Sequence, residues 1–427
     1  MSFYARAISW LSRFGPAAQH HRTEAPADAP AFQRRIDLAL AAGQVAAAEQ
    51  LCMARLAARG DDRDARLHLG HLLLRENRVA DALGHFRILD ALEGRGDVVT
   101  EAFTSERLDI ERVRRGEPHF RWLENVRVET AYWTVMRDGC VYNEDVHAKN
   151  LATSPFVRGR VSPDGALVIA SLPSAARTIE QECILVGGDD NYSHWLFRNM
   201  LKLSSLDRAG LLYRYPWLVN TDLKNYQNEY LGLLGQQPER LLKVERNSVI
   251  ACRRLLVPAL HVNSRAISHG VAWLRERLAH LLVAPAQAAR RLFVSRRDNA
   301  RRSVLNEDEV FAALAPLGFE RVVPGEMSVV DQIATFSGAR YIVAAHGAAL
   351  TNMIFAPPGA AIVELTSTAI EHMDLFRKLA RSTQHEVKSV VSADYAAGTD
   401  HPDVNSDYRV DVAVVRAAVA GMLQARS

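Results

Sequence analysis

The sequence predicts an α/β protein of two Rossmann-like domains facing a cleft, preceded by a small all-α helical-repeat segment. Three observations lead there. After residue 180, short apolar runs alternate with helical patterns; the alternation restarts beyond Ala284-Pro285-Ala286-Gln287; and Arg34 to Gly96 is densely helical, rich in Ala, Leu and Arg. Strands separated by single helices imply parallel sheets covered on both faces, and two such runs in tandem imply two domains. The expected division is 1–33 (amphipathic segment and linker), 34–99 (helical repeats), 100–286 (N-terminal domain with a β-rich entry) and 287–427 (C-terminal domain). Length agrees, since 427 residues at about 150 per domain hold about three units.

Taken in order, Met1 to Gly15 carries Phe3, Ala7, Leu11 and Phe14 at helical spacing with Arg6 and Arg13 between them. This suits a locally packed helix or one lying on a membrane surface. Residues 16–31, rich in Ala, Pro and His, read as a linker. Between 34 and 96 a repeat shows: Leu38, Gly43, Ala48 and Cys52 recur 34 residues on as Leu72, Asn77, Ala82 and Phe86. That period, with small residues where helices meet, resembles a tetratricopeptide pattern, although a generic helical hairpin fits as well. Fewer than three units are present, so the segment is expected to dock on the rest of the chain, self-associate or bind a protein partner.

Residues 100–175 read as short strands around Val126, Val128, Tyr132, Val135 and Leu167-Val168-Ile169, with Asp-Gly turns at 138–139 and 164–165. Beyond them, strands are expected at 183–186, 217–219, 255–260, 292–294, 319–323, 341–344 and 361–365. Helices are expected at 192–206, 226–234, 268–283, 307–317, 329–336, 350–355 and 370–381.

Composition excludes several classes. Charged residues at 24% and hydrophobic ones at 48% suit a soluble globular chain. With 52 basic and 49 acidic residues there is no basic excess to neutralise a nucleic acid. Cys52, Cys140, Cys183 and Cys252 form no CxxC pair, which fits reduced thiols. No apolar run approaches the roughly 18 residues of a membrane span.

Three stretches can carry chemistry. In AAHGAALTNMIFAPPGAAIVELT (344–366), a strand leads into His346-Gly347-Ala348-Ala349, small residues that let backbone amides approach an anion. Thr351 and Asn352 fall in the first turn of the helix that follows, and Glu364 ends the next strand, where it could accept ribose hydroxyls. A close-packed turn with a buried histidine is the rival reading. In SRRDNARRSVLNEDEV (295–310), Arg296, Arg297, Arg301 and Arg302 suit diphosphate oxygens or a solvated loop. Asn306 before Glu307, Asp308 and Glu309 reads as a helix cap without chemistry. In GGDDNYSHWLFRNM (187–200), Asp190 and His194 are candidate bases, with Asn191, Tyr192 and Trp195 on the acceptor side. An N-capping Asp190 beside a structural His194 is the alternative. The single Asp-x-Asp triplet, Asp62-Arg63-Asp64, lies in the helical repeat, so no metal-bridged diphosphate site is expected.

The order NYSHW (191–195), SRRDNARR (295–302) and HGAALTNMIFAPPGAAIVEL (346–365) resembles glycosyltransferase family 61. That family includes plant xylosyl- and arabinosyltransferases, animal O-linked N-acetylglucosaminyltransferases and bacterial polysaccharide enzymes. The resemblance covers about residues 110–395 and departs at Ala349, where glycine is common. It implies a GT-B fold, an inverting reaction, a nucleotide-sugar donor (commonly UDP-linked) and no required metal or other cofactor. It places the donor on Arg296, Arg297, Arg302, His346, Gly347, Ala348, Thr351, Asn352 and Glu364. His194 or Asp190 would deprotonate a glycan or lipid-linked acceptor. The implied setting is cytoplasmic assembly of a surface polysaccharide such as a capsule, free or at the inner membrane face. A scaffold with a degenerate GT-B body, and a sugar-nucleotide epimerase, are the competing expectations.

Overall fold

The computed structural model describes residues 28–94, 99–106, 119–142, 156–160, 167–259, 264–299, 301–399 and 401–425. The amphipathic stretch Met1 to Gly15, nearly all of the linker, and the Asp164-Gly165 turn lie outside these residues. The fold is mixed α/β, in two compact units.

The first unit draws on described residues of Met1–Leu108, Leu123–Gln181 and Glu245–Arg254. It begins with helices α1 (Ala29–Ala41), α2 (Val45–Ala58), α3 (Arg63–Arg75) and α4 (Val79–Leu92). Two of the turns between them are alike. Gly43 and Asn77 both take left-handed backbone, at φ 74° and 58°. Each turn closes with the same bonds, Gln44 N–H to Ala39 O and Arg78 N–H to Leu73 O, both 2.8 Å. Left-handed closure after a helix favours glycine or asparagine, which is why those types recur there. Asp62 caps α3 by accepting from the Ala65 amide at 2.9 Å, and its other oxygen takes Arg55 Nε at 2.6 Å. The Asp62-Arg63-Asp64 triplet is thus a helix start.

Close packing explains Gly70. A Cβ there would lie 2.7 Å from the fully buried Phe86 ring. Gly70→Ala is expected to destabilise this unit by roughly 1–3 kcal/mol through overpacking, measured by urea melting. No loss would mean that Phe86 shifts freely.

The unit's strands are β1 (Val99–Glu106), β2 (Phe120–Glu129), β3 (Thr134–Arg137), β4 (Cys140–Tyr142), β5 (Val157–Arg160), β6 (Leu167–Leu172) and β7 (Arg177–Ile179). β2, β3 and β4 pair antiparallel in sequence, and β1 pairs with β4 and β6. The expected Asp138-Gly139 turn joins β3 to β4 with φ 49° and 72°, as a two-residue hairpin requires.

The second unit contains both parallel sheets, from Asp109–Trp122, Glu182–Val244 and Leu255–Ser427. The compact units therefore cut across the expected boundary at residues 286 and 287. The physical reason is one continuous apolar core, in which Trp195, Trp217 and Leu274 join Val294, Phe336 and Phe355. The first sheet is the parallel part of an eleven-stranded sheet, in the order β10 (Leu241–Val244), β9 (Trp217–Asn220), β8 (Cys183–Gly187), β11 (Val249–Pro258), the last paired through Leu255 and Leu256. Helix α5 (Asn225–Leu233) connects β9 to β10, and α6 (Ser264–Arg277) leads out of β11.

The second sheet has the order β13 (Phe319–Val322), β12 (Arg290–Val294), β14 (Ala339–Ala345), β15 (Ala361–Ser367), β16 (Glu386–Ser392), again all parallel. Helices α7 (Glu307–Leu314), α8 (Val329–Ser337), α9 (Leu375–Ser382) and α10 (Val412–Gln424) accompany it. Both faces are covered: Ile362 belongs to the core shared with α8 and α9, while Val363 and Leu365 belong to a core with α7 and α10. No helix among the described residues is long and apolar enough to cross a membrane.

Two expected helices take other forms. The segment 192–206 is an α-turn (Tyr192–His194), a π-turn (Trp195–Met200) and a short α-helix (Leu203–Arg208). The segment after Gly347 is a 3₁₀ helix, Ala348–Phe355. Arg275 Nη1 holds its end by donating to the carbonyls of Ile354, Phe355 and Ala356 at 2.9, 2.5 and 3.0 Å. Those oxygens have no partner within the helix, so one guanidinium fixes where it stops.

Candidate active site

In open parallel sheets, ligands bind beyond the carboxyl ends of the strands where the strand order reverses. The first sheet reverses beside β8, because β9 and β10 step to one side and β11 returns to the other. β8 is fully buried and ends in Gly187-Gly188. A Cβ on Gly188 would lie 2.2 Å from Asn220 Oδ1, so the chain passes that side chain only as glycine.

Asp189 follows, and every polar atom it carries beyond its own amide is engaged. Its Oδ1 accepts from the Asn191 amide at 2.9 Å, its carbonyl accepts from Gln227 Nε2 at 2.9 Å, and its Oδ2 lies 3.1 Å from His194 Nδ1. Arg198 Nη1 stands 3.5 Å from the same Oδ2. Burial alone would raise the Asp189 carboxyl; the His194 bond, with the Asn191 amide and Arg198, brings it below its ordinary value. His194 itself is partly open, with 37% of its side chain exposed. A carboxylate holding Nδ1–H leaves Nε2 as the free ring atom, the arrangement of an oriented general base. The π-turn begins at the next residue, a distortion often found at functional sites.

Here the sequence expectation needs correction. Asp190 is exposed, and the carboxylate that pairs with His194 is Asp189. Asn191 is exposed and caps the turn by accepting from the His194 amide at 3.2 Å. Trp195 is fully buried in the core and cannot meet an acceptor. Tyr192 points inward too: its hydroxyl donates to Asn352 Oδ1 at 2.5 Å and lies 2.9 Å from Tyr230 Oη. Burial pushes its phenol well above the usual range.

The second sheet reverses between β12 and β14. Ser295 and Arg296 follow β12, and His346 and Gly347 follow β14. Glu307 on α7 fixes the first pair, accepting from Ser295 Oγ at 2.6 Å and the Arg296 amide at 3.1 Å. The expected cap is thus a helix start as read, but Asn306 spends its side chain on the backbone of Val410, and Glu307 supports the arginine loop.

The Arg296 guanidinium crosses the reversal point. Its Nη1 donates to His346 O at 3.2 Å, its Nη2 to Arg301 O at 3.0 Å, and a Cβ on Gly347 would lie 1.6 Å from Nη1. Arg296 is 7% exposed, yet its Nε has no hydrogen-bond partner; Nε of the half-buried Arg302 has none either. Desolvation pulls both guanidiniums below their ordinary values, and for Arg302 the charge of Arg296 adds to it. Two neighbouring, poorly solvated cations, each with an unpaired buried Nε, are an arrangement that an anion could neutralise. Arg297 is exposed and already paired with Asp308.

The remaining donor-side residues divide. Ala348 is half-buried beside Gly347 at the start of the 3₁₀ helix. Thr351 and Asn352 are fully buried, and Asn352 Nδ2 donates to Gln332 Oε1 at 2.8 Å, so neither reaches a phosphate. Glu364 is 1% exposed with both oxygens bound, to His346 Nδ1 at 2.7 Å and Ser389 Oγ at 2.9 Å, which excludes a direct hold on ribose. Asn352 serves instead to join the two edges: the turn carrying Tyr192 and His194 packs on the 3₁₀ helix that starts beside Gly347.

The comparisons with known proteins bear on this region. Residues 192–363 match the family model Glycosyltransferase 61. The span includes His194, Arg296, Arg302, His346 and Gly347. A 72-residue stretch is 42% identical to Protein O-linked-mannose beta-1,4-N-acetylglucosaminyltransferase 2 of Takifugu rubripes. It covers 16% of this chain and 12% of that protein.

Of the supporting residues, Asp189 stood in the cluster but Asp190 was preferred to it, Glu307 was read only as a helix start, and Gln332 gave no signal. Adjacent Asp189 and Asp190 are alike on paper, and only the turn geometry separates them. The glycine pair before Asp189 was the available signal, since a tight strand exit directs the first side chain back toward the helix start.

Proposed function

We propose that this protein is an inverting glycosyltransferase of the family 61 kind, moving a sugar from a nucleotide-sugar to a glycan or lipid-linked acceptor. The observation that carries the reading is the buried Arg296 guanidinium, seated on Gly347 with its Nε open, in a unit whose other sheet edge carries the Asp189–His194 pair. The match of residues 192–363 to family 61 supports the reaction class. On this reading the two parallel sheets are the halves of a GT-B body, with the diphosphate on Arg296 and Arg302 and the amides beyond Gly347 beside it.

The acceptor hydroxyl gives its proton to Nε2 of His194 while its oxygen bonds to the anomeric carbon. The bond from that carbon to the diphosphate oxygen breaks with inversion, and the electron pair leaves with the nucleotide. Arg296 and Arg302 meet the charge that develops there. Among the described residues no three His, Cys, Asp or Glu side chains gather into a metal-holding group, and metal-independent transfer is part of the proposal. Surface-polysaccharide assembly on the cytoplasmic side is the proposed setting, with the helices α1–α4 recruiting a partner.

The test is a panel of UDP-, GDP-, CMP- and dTDP-sugars offered with oligosaccharide and lipid-linked acceptors and read by mass spectrometry. Transfer from one donor class, persisting with chelator, is the expected result. Isomerised donor without transfer would mark an epimerase, and no stabilisation by any nucleotide would mark a scaffold.

A further inference from the structure

His346 and Glu364 form a second histidine–carboxylate pair, and its setting differs from that of His194. Glu364 lies on the face of β15 toward α9, 1% exposed. Its Oε1 is 2.7 Å from His346 Nδ1, its Oε2 accepts from Ser389 Oγ on β16 at 2.9 Å, and Arg377 Nη1 stands 3.9 Å from Oε2. An ionised carboxylate only accepts, so Nδ1 carries the proton in this bond.

The ring is fixed by more than that bond. Phe376 meets it edge-on, with centroids 4.9 Å apart, and the His346 backbone is anchored by its amide to Leu365 O at 2.8 Å. Its carbonyl in turn holds Arg296. With Nδ1 committed, Nε2 is left without a protein partner in a residue that keeps 5% exposure at the reversal point of the sheet. Such a chain of holds is the way an outer carboxylate orients an imidazole toward a ligand.

We infer that Glu364 is a positioning residue that acts through His346, presenting Nε2 to the diphosphate of the bound nucleotide. The inference rests on the proposed nucleotide-sugar reading. Protonated at Nε2, the imidazole donates a hydrogen bond to a phosphate oxygen, and the buried carboxylate behind it balances the charge. No covalent step is involved: the ring is a third donor beside the two guanidiniums. The ribose of the nucleotide makes no contact with Glu364.

The experiment separates ribose from phosphate. UDP, GDP, CDP and ADP are titrated into the full chain by calorimetry, and then the nucleoside of whichever binds. Glu364→Gln is expected to weaken the diphosphate about tenfold and leave the nucleoside within about twofold. On a His346→Ala background it should cause no further loss, because a residue acting through another has nothing left to act on. Equal losses for nucleoside and diphosphate, or additive losses in the double mutant, overturn the inference. Should Glu364→Gln fail to fold, Ser389→Ala loosens the same carboxylate, and the ¹⁵N shifts of the His346 ring must then move. Unmoved shifts overturn the inference equally. Absence of binding by all four diphosphates in the unaltered chain would instead remove the functional reading itself.

Discussion

His194→Ala should lower kcat about a thousandfold while leaving donor affinity nearly intact, within the 10²–10⁴ range for loss of a general base. The ring is held at Nδ1 by Asp189 and has no bond to Arg296 or Arg302, so the proton-transfer step should suffer most. Asp189→Asn should cost about a hundredfold, because an amide can hold Nδ1 in either sense and no longer selects the useful tautomer. Asp190→Asn should cost under about tenfold, since its carboxylate is exposed and does not hold the ring. Steady-state kinetics on the three variants gives the order, and an equal loss at Asp189 and Asp190 would sink the dyad. Acid behaviour offers a control. The Asp189 carboxyl sits below its unfolded value, so the stability it contributes is complete at neutral pH and lost only as pH falls through that lowered value. Asp189→Asn removes that contribution at neutral pH as well, so its melting temperature is read beside its kinetics.

Much of the architecture was legible because it rests on periodicity. The parallel strands at 183–187, 217–220, 290–294, 319–322, 339–345 and 361–367 are short apolar runs set off by turn residues, a pattern that survives any tertiary context. The left-handed turns at Gly43 and Asn77 were legible for a similar reason, a backbone requirement that few residues meet. Side-chain direction was not. Tyr192, Trp195, Thr351 and Asn352 sit in the stretches that seemed richest in chemistry, and all four turn into the core. For Thr351 and Asn352 the 3₁₀ winding changes side-chain direction relative to α-helical spacing, while Tyr192 precedes the π-turn and is drawn inward by its bonds to Asn352 and Tyr230. Glu364 misled differently. It was expected to end its strand, but β15 runs on to Ser367, and Ser389 and His346 claim its oxygens. Which neighbour a buried carboxylate meets depends on strand order, and order is a property of the whole sheet.

Arg296 and Gly347 give the second large effect, and they bind as one feature. Gly347 has extended backbone, φ 176°, which any residue adopts, so the glycine is needed for space alone. A methyl group there would overlap Arg296 Nη1, and the guanidinium, tied to two carbonyls, would have to leave its seat. Gly347→Ala should therefore weaken nucleotide diphosphate binding about tenfold to a hundredfold, as much as Arg296→Met does, and the double variant should be no worse than either. The two differ in stability. Gly347→Ala overpacks a buried turn and should cost roughly 1–3 kcal/mol. Arg296→Met keeps the volume and removes a desolvated cation, which offsets the two carbonyl bonds it gives up, so its Tm should fall less than that of Gly347→Ala. A loss of affinity out of proportion to the loss of stability is expected where a charge is kept for a ligand rather than for the fold. Binding retained in Arg296→Met, whatever its Tm, would make Arg296 a structural residue and remove the diphosphate site.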